Sequence, residues 1–183
     1  QAGGSIRTSE TIMEIDLLVT ASCASVINEG GGTSSDPSIS SDGRLVAFVS
    51  LSSNLVASVS GQQIYVRDRQ TGHTTVVSKS SAGTIGDGTS NAPAISADGR
   101  YVAFASASTN LVFGVSGTQI YVHDRQTDQT TLISKDNNVT PVPGNGVSAT
   151  PAISATGQFV AFASLSTNLG AAGGNQQIYL HDR

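Results

Sequence analysis

Apolar and polar positions fall into a set of short runs that recurs along the chain. In the first set, residues 37–40 (P-S-I-S) predict a short strand A. Asp42-Gly43-Arg44 is a tight turn, and D-G is among the strongest hairpin signals. Residues 45–50 (L-V-A-F-V-S) predict strand B. It is apolar on both faces, with Val46 and Phe48 on one and Leu45, Ala47 and Val49 on the other, so it needs cover on both sides. Residues 63–68 alternate as a half-exposed strand C. After the turn Gln70-Thr71-Gly72, residues 74–78 (T-T-V-V-S) predict strand D. The second set places A–D at 93–96, 101–106, 119–124 and 130–134. The third gives 151–154, 159–164 and 177–182 and no strand D. Burial is expected to fall from B outward to D.

These sets belong to one 33-residue repeat, at 37–69, 93–125 and 151–183, with sixteen positions identical in all three copies. The shared frame is P-x-I-S-x-x-G-x-x-V-A-F-x-S-x-S-x-N-L, then Q-I-Y-x-x-D-R. Such a period signals a repeat architecture. Strands buried at B and drier than their successors fit radial four-stranded sheets, the blades of an all-β propeller. The expected organisation is an N-terminal segment (1–36) with one strand at 12–19, blade 1 at 37–78, blade 2 at 93–134, and blade 3 at 151–183 without its outer strand. Together they make one propeller domain with an incomplete ring. The A–B and C–D turns then share one end. The longer connections at 51–61, 79–92, 107–117, 135–150 and 165–175 share the other, where binding is expected.

Composition narrows the function classes. Net charge is −4, and six of the nine basic residues are spread through the repeats, so nucleic-acid binding is not expected. No run approaches the roughly 20 apolar residues of a membrane-spanning helix. The lone methionine, Met13, points to a processed protein or a fragment. Residues 17–23 have a faint likeness to a lipoprotein box ending at Cys23, but Glu14 and Asp16 break the apolar run before it. A single cysteine allows no internal disulfide and no cysteine-based metal site.

The motifs P-x-I-S-x-D-G-R-x-V-A-F-x-S, S-x-N-L-V and Q-I-Y-V-x-D-R-Q-T, best seen in 93–127, resemble the TolB-type propeller repeat, a relative of WD-repeat propellers. The resemblance covers about 150 of the 183 residues. It implies bacterial envelope or secreted proteins, and blades that act as interaction scaffolds, sugar or peptide binders, or companions of a hydrolase. The calcium loop of some relatives does not carry over, because residues 56–61, 112–117 and 170–175 hold no carboxylate. Thr156 and Gln158 replace Asp and Arg in the third copy and put its A–B turn chemistry in doubt.

No residue set reaches a catalytic signature. There is no G-x-S-x-G elbow, so no catalytic, cofactor or metal residue is assigned and the chain is not expected to be an enzyme. His123 and His181 share a repeat slot with Arg67 and are expected to be solvated, as is His73. Asp68, Asp124 and Asp182 are expected to bond groups near their own C–D turns. Asn54, Asn110 and Asn168 are expected to brace the B–C loop, with Leu55, Leu111 and Leu169 pinning it. The sequon at Asn138 is followed by Pro141, which weakens it.

The expected role is a non-catalytic scaffold or protein-interaction subunit of a periplasmic or extracellular bacterial assembly. The alternatives are a carbohydrate- or peptide-binding module on the long-loop face, or the propeller portion of a larger hydrolase. That face would include Asn54, Val59, Asp87, Asn91, Asn110, Phe113, Asn138, Asn145, Asn168 and Asn175. Open terminal blades would expose apolar faces and strand edges. Other subunits, further blades or a second copy are therefore expected to complete the ring.

Overall fold

The structure is a computed structural model that describes residues 31–170 and 175–183. The strand expected at 12–19, Cys23 and residues 171–174 of the third B–C loop lie outside the described residues. Within them the regular structure is all strand. Blade 1 contains β1 (Ser34–Ile39), β2 (Leu45–Ser50), β3 (Gln63–Asp68) and β4 (Thr74–Val76). Blade 2 contains β5 (Ser90–Ile95), β6 (Tyr101–Ser106), β7 (Gln119–Asp124) and β8 (Gln129–Leu132). Blade 3 contains β9 (Ser148–Ile153), β10 (Phe159–Ser164) and β11 (Gln177–Asp182). Each sheet keeps chain order with antiparallel neighbours. This is the fold expected of propeller blades.

Strand A starts three residues earlier than the prolines suggest. Ser34 pairs with Ser50, Ser90 with Ser106 and Ser148 with Ser164. A register shift follows, where Asp36, Ala92 and Thr150 take positive φ of 51°, 49° and 48°. Each precedes a proline, which has no N–H to give the ladder and fits at a bulge. Strand D ends earlier than expected because a side chain takes over from the backbone. Ile64 N–H donates to Ser78 Oγ and Ile120 N–H to Ser134 Oγ, both at 2.9 Å.

Burial falls from strand B to strand D in both complete blades, as expected, but strand C varies from blade to blade. β7 is buried along its whole length, as are Gln63–Val66 of β3, while β11 is largely exposed. Position in the row of blades decides this. Tyr121 of β7 packs in a core with Leu45, Ala47, Val49, Ile64 and Val66 of blade 1. Ile120 and Val122, on its other face, pack with Val160 and Phe162 of blade 3. The double-faced apolar strand B behaves as its pattern requires. Leu45, Ala47 and Val49 face blade 2, whereas Val46 and Phe48 face the opposite way with Tyr65. A stacked pair links strands B and C in every blade: Phe48–Tyr65, Phe104–Tyr121 and Phe162–Tyr179, at centroid distances of 5.8, 5.9 and 5.6 Å.

Successive blades also touch through their A–B turns. Ser41 N–H donates to Ala97 O at 2.9 Å, and Ala97 N–H to Ala155 O at 3.0 Å. Gly157, at φ +75°, sits so close to the Tyr101 ring that a Cβ there would lie 2.1 Å from Cδ2. Gly43, at φ +69°, occupies the same turn of blade 1 with nothing nearer than 3.7 Å. Gly157→Ala is therefore expected to cost about 2–4 kcal/mol, from positive φ plus overpacking. Gly43→Ala should cost about 1 kcal/mol, from φ alone. Urea unfolding of both variants reads the difference.

Candidate interaction face

At the short-turn end the recurring Asp and Arg side chains are engaged within their own blades. Asp42 accepts from Ser40 Oγ (2.6 Å) and Arg44 N (3.0 Å), and Asp98 repeats this with Ser96 and Arg100. Asp124 accepts Arg100 Nε and Nη2 at 2.9 and 2.7 Å, and Gln126 N at 2.9 Å. Asp68 does the same with Arg44 and Gln70. So Asp68 and Asp124 bond their own C–D turns, as expected, and also clamp the A–B turn. Arg69, Arg125 and Arg183 complete the clamp, each donating at 2.8 Å to the carbonyl of Gly43, Gly99 or Gly157. The guanidinium bonds hold the Asp68 and Asp124 carboxyls well below the usual carboxylate range. In blade 3 the turn survives its substitutions. Thr156 Oγ1 accepts Gln158 N at 3.4 Å, and Gln158 Nε2 donates to Asp182 at 3.1 Å.

His123 overturns the solvated reading: it is 1% exposed. Its Nδ1 lies 2.9 Å from Thr130 Oγ1 and its Nε2 lies 3.2 Å from Asp128. Strand C is covered by blade 1 here. Asp128 also pairs with Lys79 of blade 1 at 2.7 Å, and Thr130 Oγ1 donates to Lys79 O. Thr130 N–H donates to Ser81 Oγ at 2.9 Å. These contacts form a polar seam between the blades. Histidine at one repeat slot and arginine at another looked like a surface position. Its partners Asp128, in the C–D turn, and Thr130, in strand D, could not be paired with it by pattern.

The long-loop end brings the D–A and B–C connections together. Asp87 accepts Thr109 N and Oγ1, both at 2.7 Å. Asn110 Oδ1 accepts Asp87 N at 3.1 Å and its Nδ2 donates to Ile85 O at 2.8 Å. Asn145 and Asn168 repeat the arrangement with Thr167 and Pro143 O. Asn110 and Asn168 thus brace their B–C loops against the incoming connection. Asn54 Oδ1 is buried and has no such partner among the described residues. Val59 is misplaced as a face residue. It is 3% exposed and packs with Val46, Phe48 and Tyr65, because its loop folds back over the sheet. Asn91 lies within β5 and is half-buried; Asn138 and Asn175 are exposed, and Asn138 donates to Asp136. Phe113 is fully exposed. The sequence reading missed Leu51, Val139, Val142, Val147 and Leu165, which give this end an exposed apolar component. They sit at non-repeated positions or in the D–A connections, where no periodicity marks them.

Among the described residues no three His, Cys, Asp or Glu side chains cluster as metal ligands, and no helix is long and apolar enough to cross a membrane.

Burial lowers the His123 pKa from its ordinary 6.5 to about 4, with Lys79 and Arg125 acting in the same direction and Asp128 and Asp124 against it. Between these values the unfolded chain binds the extra proton, so stability falls as pH falls. Wild type is expected to lose about 2 kcal/mol from pH 6.5 to 4 through this group. His123→Gln should flatten that window and leave the carboxylate-driven loss at lower pH. Thermal melts across the range check it.

No family profile matches the chain, and no curated protein sequence matches it. Solved structures do. TolB from Acinetobacter baumannii aligns at TM-score 0.51 and 22% identity, over 82% of this chain and 30% of that one. A candidate TolB from Agrobacterium tumefaciens aligns at 0.54 and 21%, over 82% and 46%. The β-propeller domain of the Trilobed protease from Pyrococcus furiosus aligns at 0.52 and 17%, over 84% and 40%. The chain spans less than half the length of these structures. At such identities the likeness concerns fold. In fold, this chain is a run of consecutive blades of a TolB-like β-propeller.

Proposed function

We propose that the chain is a non-catalytic propeller segment that serves as a protein-interaction scaffold in the bacterial periplasm or at the cell surface. One observation carries this reading. Ile178 and Leu180 of β11 are 76% and 69% exposed, whereas their counterparts Ile120 and Val122 in blade 2 are fully buried under the next blade. Phe159, the counterpart of Tyr101, is 39% exposed. An apolar sheet face of this kind calls for cover, by a further blade, a second copy or another protein. The polar groups of the short-turn end are engaged in holding turns, which leaves packing as the chemistry on offer.

A second reading, a carbohydrate- or peptide-binding module on the long-loop face, draws support from the full exposure of Phe113, a ring free to stack on a ligand. The fold likeness to a protease's propeller domain keeps a companion hydrolase in view.

Sedimentation over a concentration series tests the scaffold reading. The chain is expected to associate, and Ile178→Asp with Leu180→Asp to abolish association. Because both side chains are exposed in the isolated chain, the melting temperature should change by only about 2 °C or less. A chain that stays monomeric at every concentration, or that cleaves ester or peptide substrates, overturns it. Phe113→Ser is expected to leave association unchanged. It should lower retention on a glycan array only if the second reading holds.

A further inference from the structure

The two connections that lead from one blade to the next share a frame and differ at one place. Lys79 bridges Ile85 in the first, and Lys135 bridges Pro143 in the second. Behind the bridge Gly86 N–H donates to Ser78 O at 2.9 Å, and Gly144 N–H to Ser134 O at 2.8 Å. Ahead of it Ser80 N–H donates to Thr84 O at 2.8 Å, and Asp136 N–H to Val142 O at 3.0 Å. Between these ties the first loop holds residues 81–83 and the second holds residues 137–141. The second connection is longer than the first, and its extra residues all fall in this tip.

The enlarged tip carries Asn138-Val139-Thr140, the one Asn-x-Ser/Thr triplet in the chain. Residues 137–141 are all exposed, Val139 completely. That exposure does not depend on what lies beside blade 3. The counterpart residues 81–84 are exposed as well, although β8 stands next to them and Thr130 bonds Ser81. A longer tip projects further past any strand laid in the same place. Its base is fixed, because Asp136 Oδ1 also accepts Val142 N–H at 2.8 Å. Among the described residues the tip itself is tied only through Asn138, whose N–H and Nδ2 donate to the Asp136 carboxylate. The Val142 N–H holds that carboxyl below the usual carboxylate range, so it is charged at neutral pH.

We propose that Asn138 is an acceptor for N-linked glycan transfer, with Asp136 as a second recognition group for the transferring enzyme. The triplet needs a surface loop to act as an acceptor, and this tip is one. The donor is a polyprenyl-diphosphate-linked oligosaccharide. Asn138 Nδ2 attacks C1 of its first sugar. The N–C1 bond forms and the C1–O bond breaks. Polyprenyl diphosphate leaves with the electron pair, and one amide proton passes to a base of the enzyme. Thr140 presents its hydroxyl for recognition, and the Asp136 carboxylate pairs with a cationic side chain of the enzyme. Asp136 releases Asn138 Nδ2 as it does so, from an exposed bond for which water already competes. Pro141 slows transfer but removes none of these three groups. Transfer in the cell rests on the periplasmic or cell-surface reading; the acceptor chemistry does not.

The test mixes the folded full chain with a purified bacterial oligosaccharyltransferase and a polyprenyl-diphosphate oligosaccharide of known mass. Intact-mass spectrometry and peptide mapping read the product. A gain of one glycan is expected, on Asn138. Asn138→Gln and Thr140→Val should abolish it, and Thr140→Ser should retain it. Asp136→Asn should slow transfer about tenfold by removing the charge-assisted bond. Pro141→Ser should speed it. The melting temperature should move by about 2 °C or less in every variant, because the tip is exposed. Absence of transfer to the folded chain overturns the proposal, most directly where a synthetic peptide of residues 134–143 is modified. A glycan on another asparagine, or an unchanged rate in Asp136→Asn, also overturns it. Transfer to a chain that stays monomeric upholds it even where the scaffold reading fails. An associating chain that takes no glycan overturns it and leaves that reading in place.

Discussion

A strand that is apolar on both faces cannot be satisfied within one sheet, and the rest of this structure follows from that constraint. Leu45, Ala47 and Val49 of β2 need one apolar neighbour while Val46 and Phe48 need another. Stacking sheet upon sheet meets both needs at once. It leaves each blade dependent on the next for a share of its core, as in other repeat folds. Blade 2, flanked on both sides, is the driest, and β11 at the end of the row is wet.

Against this apolar spacing the recurring polar residues act as fasteners. Asp68 and Asp124 tie the C–D turn to the A–B turn, and the arginine after each, like Arg183, caps a glycine carbonyl. The asparagines of blades 2 and 3 tie one long connection to the other. Gln119 joins strands C and D to the connection beyond. Groups spent this way in every blade have little left for a ligand. What differs between the blades is then the exposed Phe113 ring and the apolar tips of the long connections.

Much of the fold was legible along the chain, because the repeat fixed strand order and the D-G turns fixed the hairpins. The third A–B turn was harder. Thr156 and Gln158 weaken its sequence signal, yet a hydroxyl and an amide make longer versions of the same bonds. Strand A was cut short in the reading because its opening residues are polar and its proline looked like a start. In the folded chain that proline sits at a bulge, and the preceding residue takes positive φ to make it fit.

Local alternation and turn chemistry are properties of neighbouring residues, so the amino-acid sequence alone settled the strands, their antiparallel order and the blade architecture. Burial is a property of what arrives from elsewhere in the chain. That His123 is buried, and that strand C is dry in blade 2 and wet in blade 3, were decided only when one sheet was laid against the next, while Val59 turned inward only when its loop folded over its own sheet. The side chains that cover His123 and strand C come from a neighbouring blade, beyond the reach of any local period.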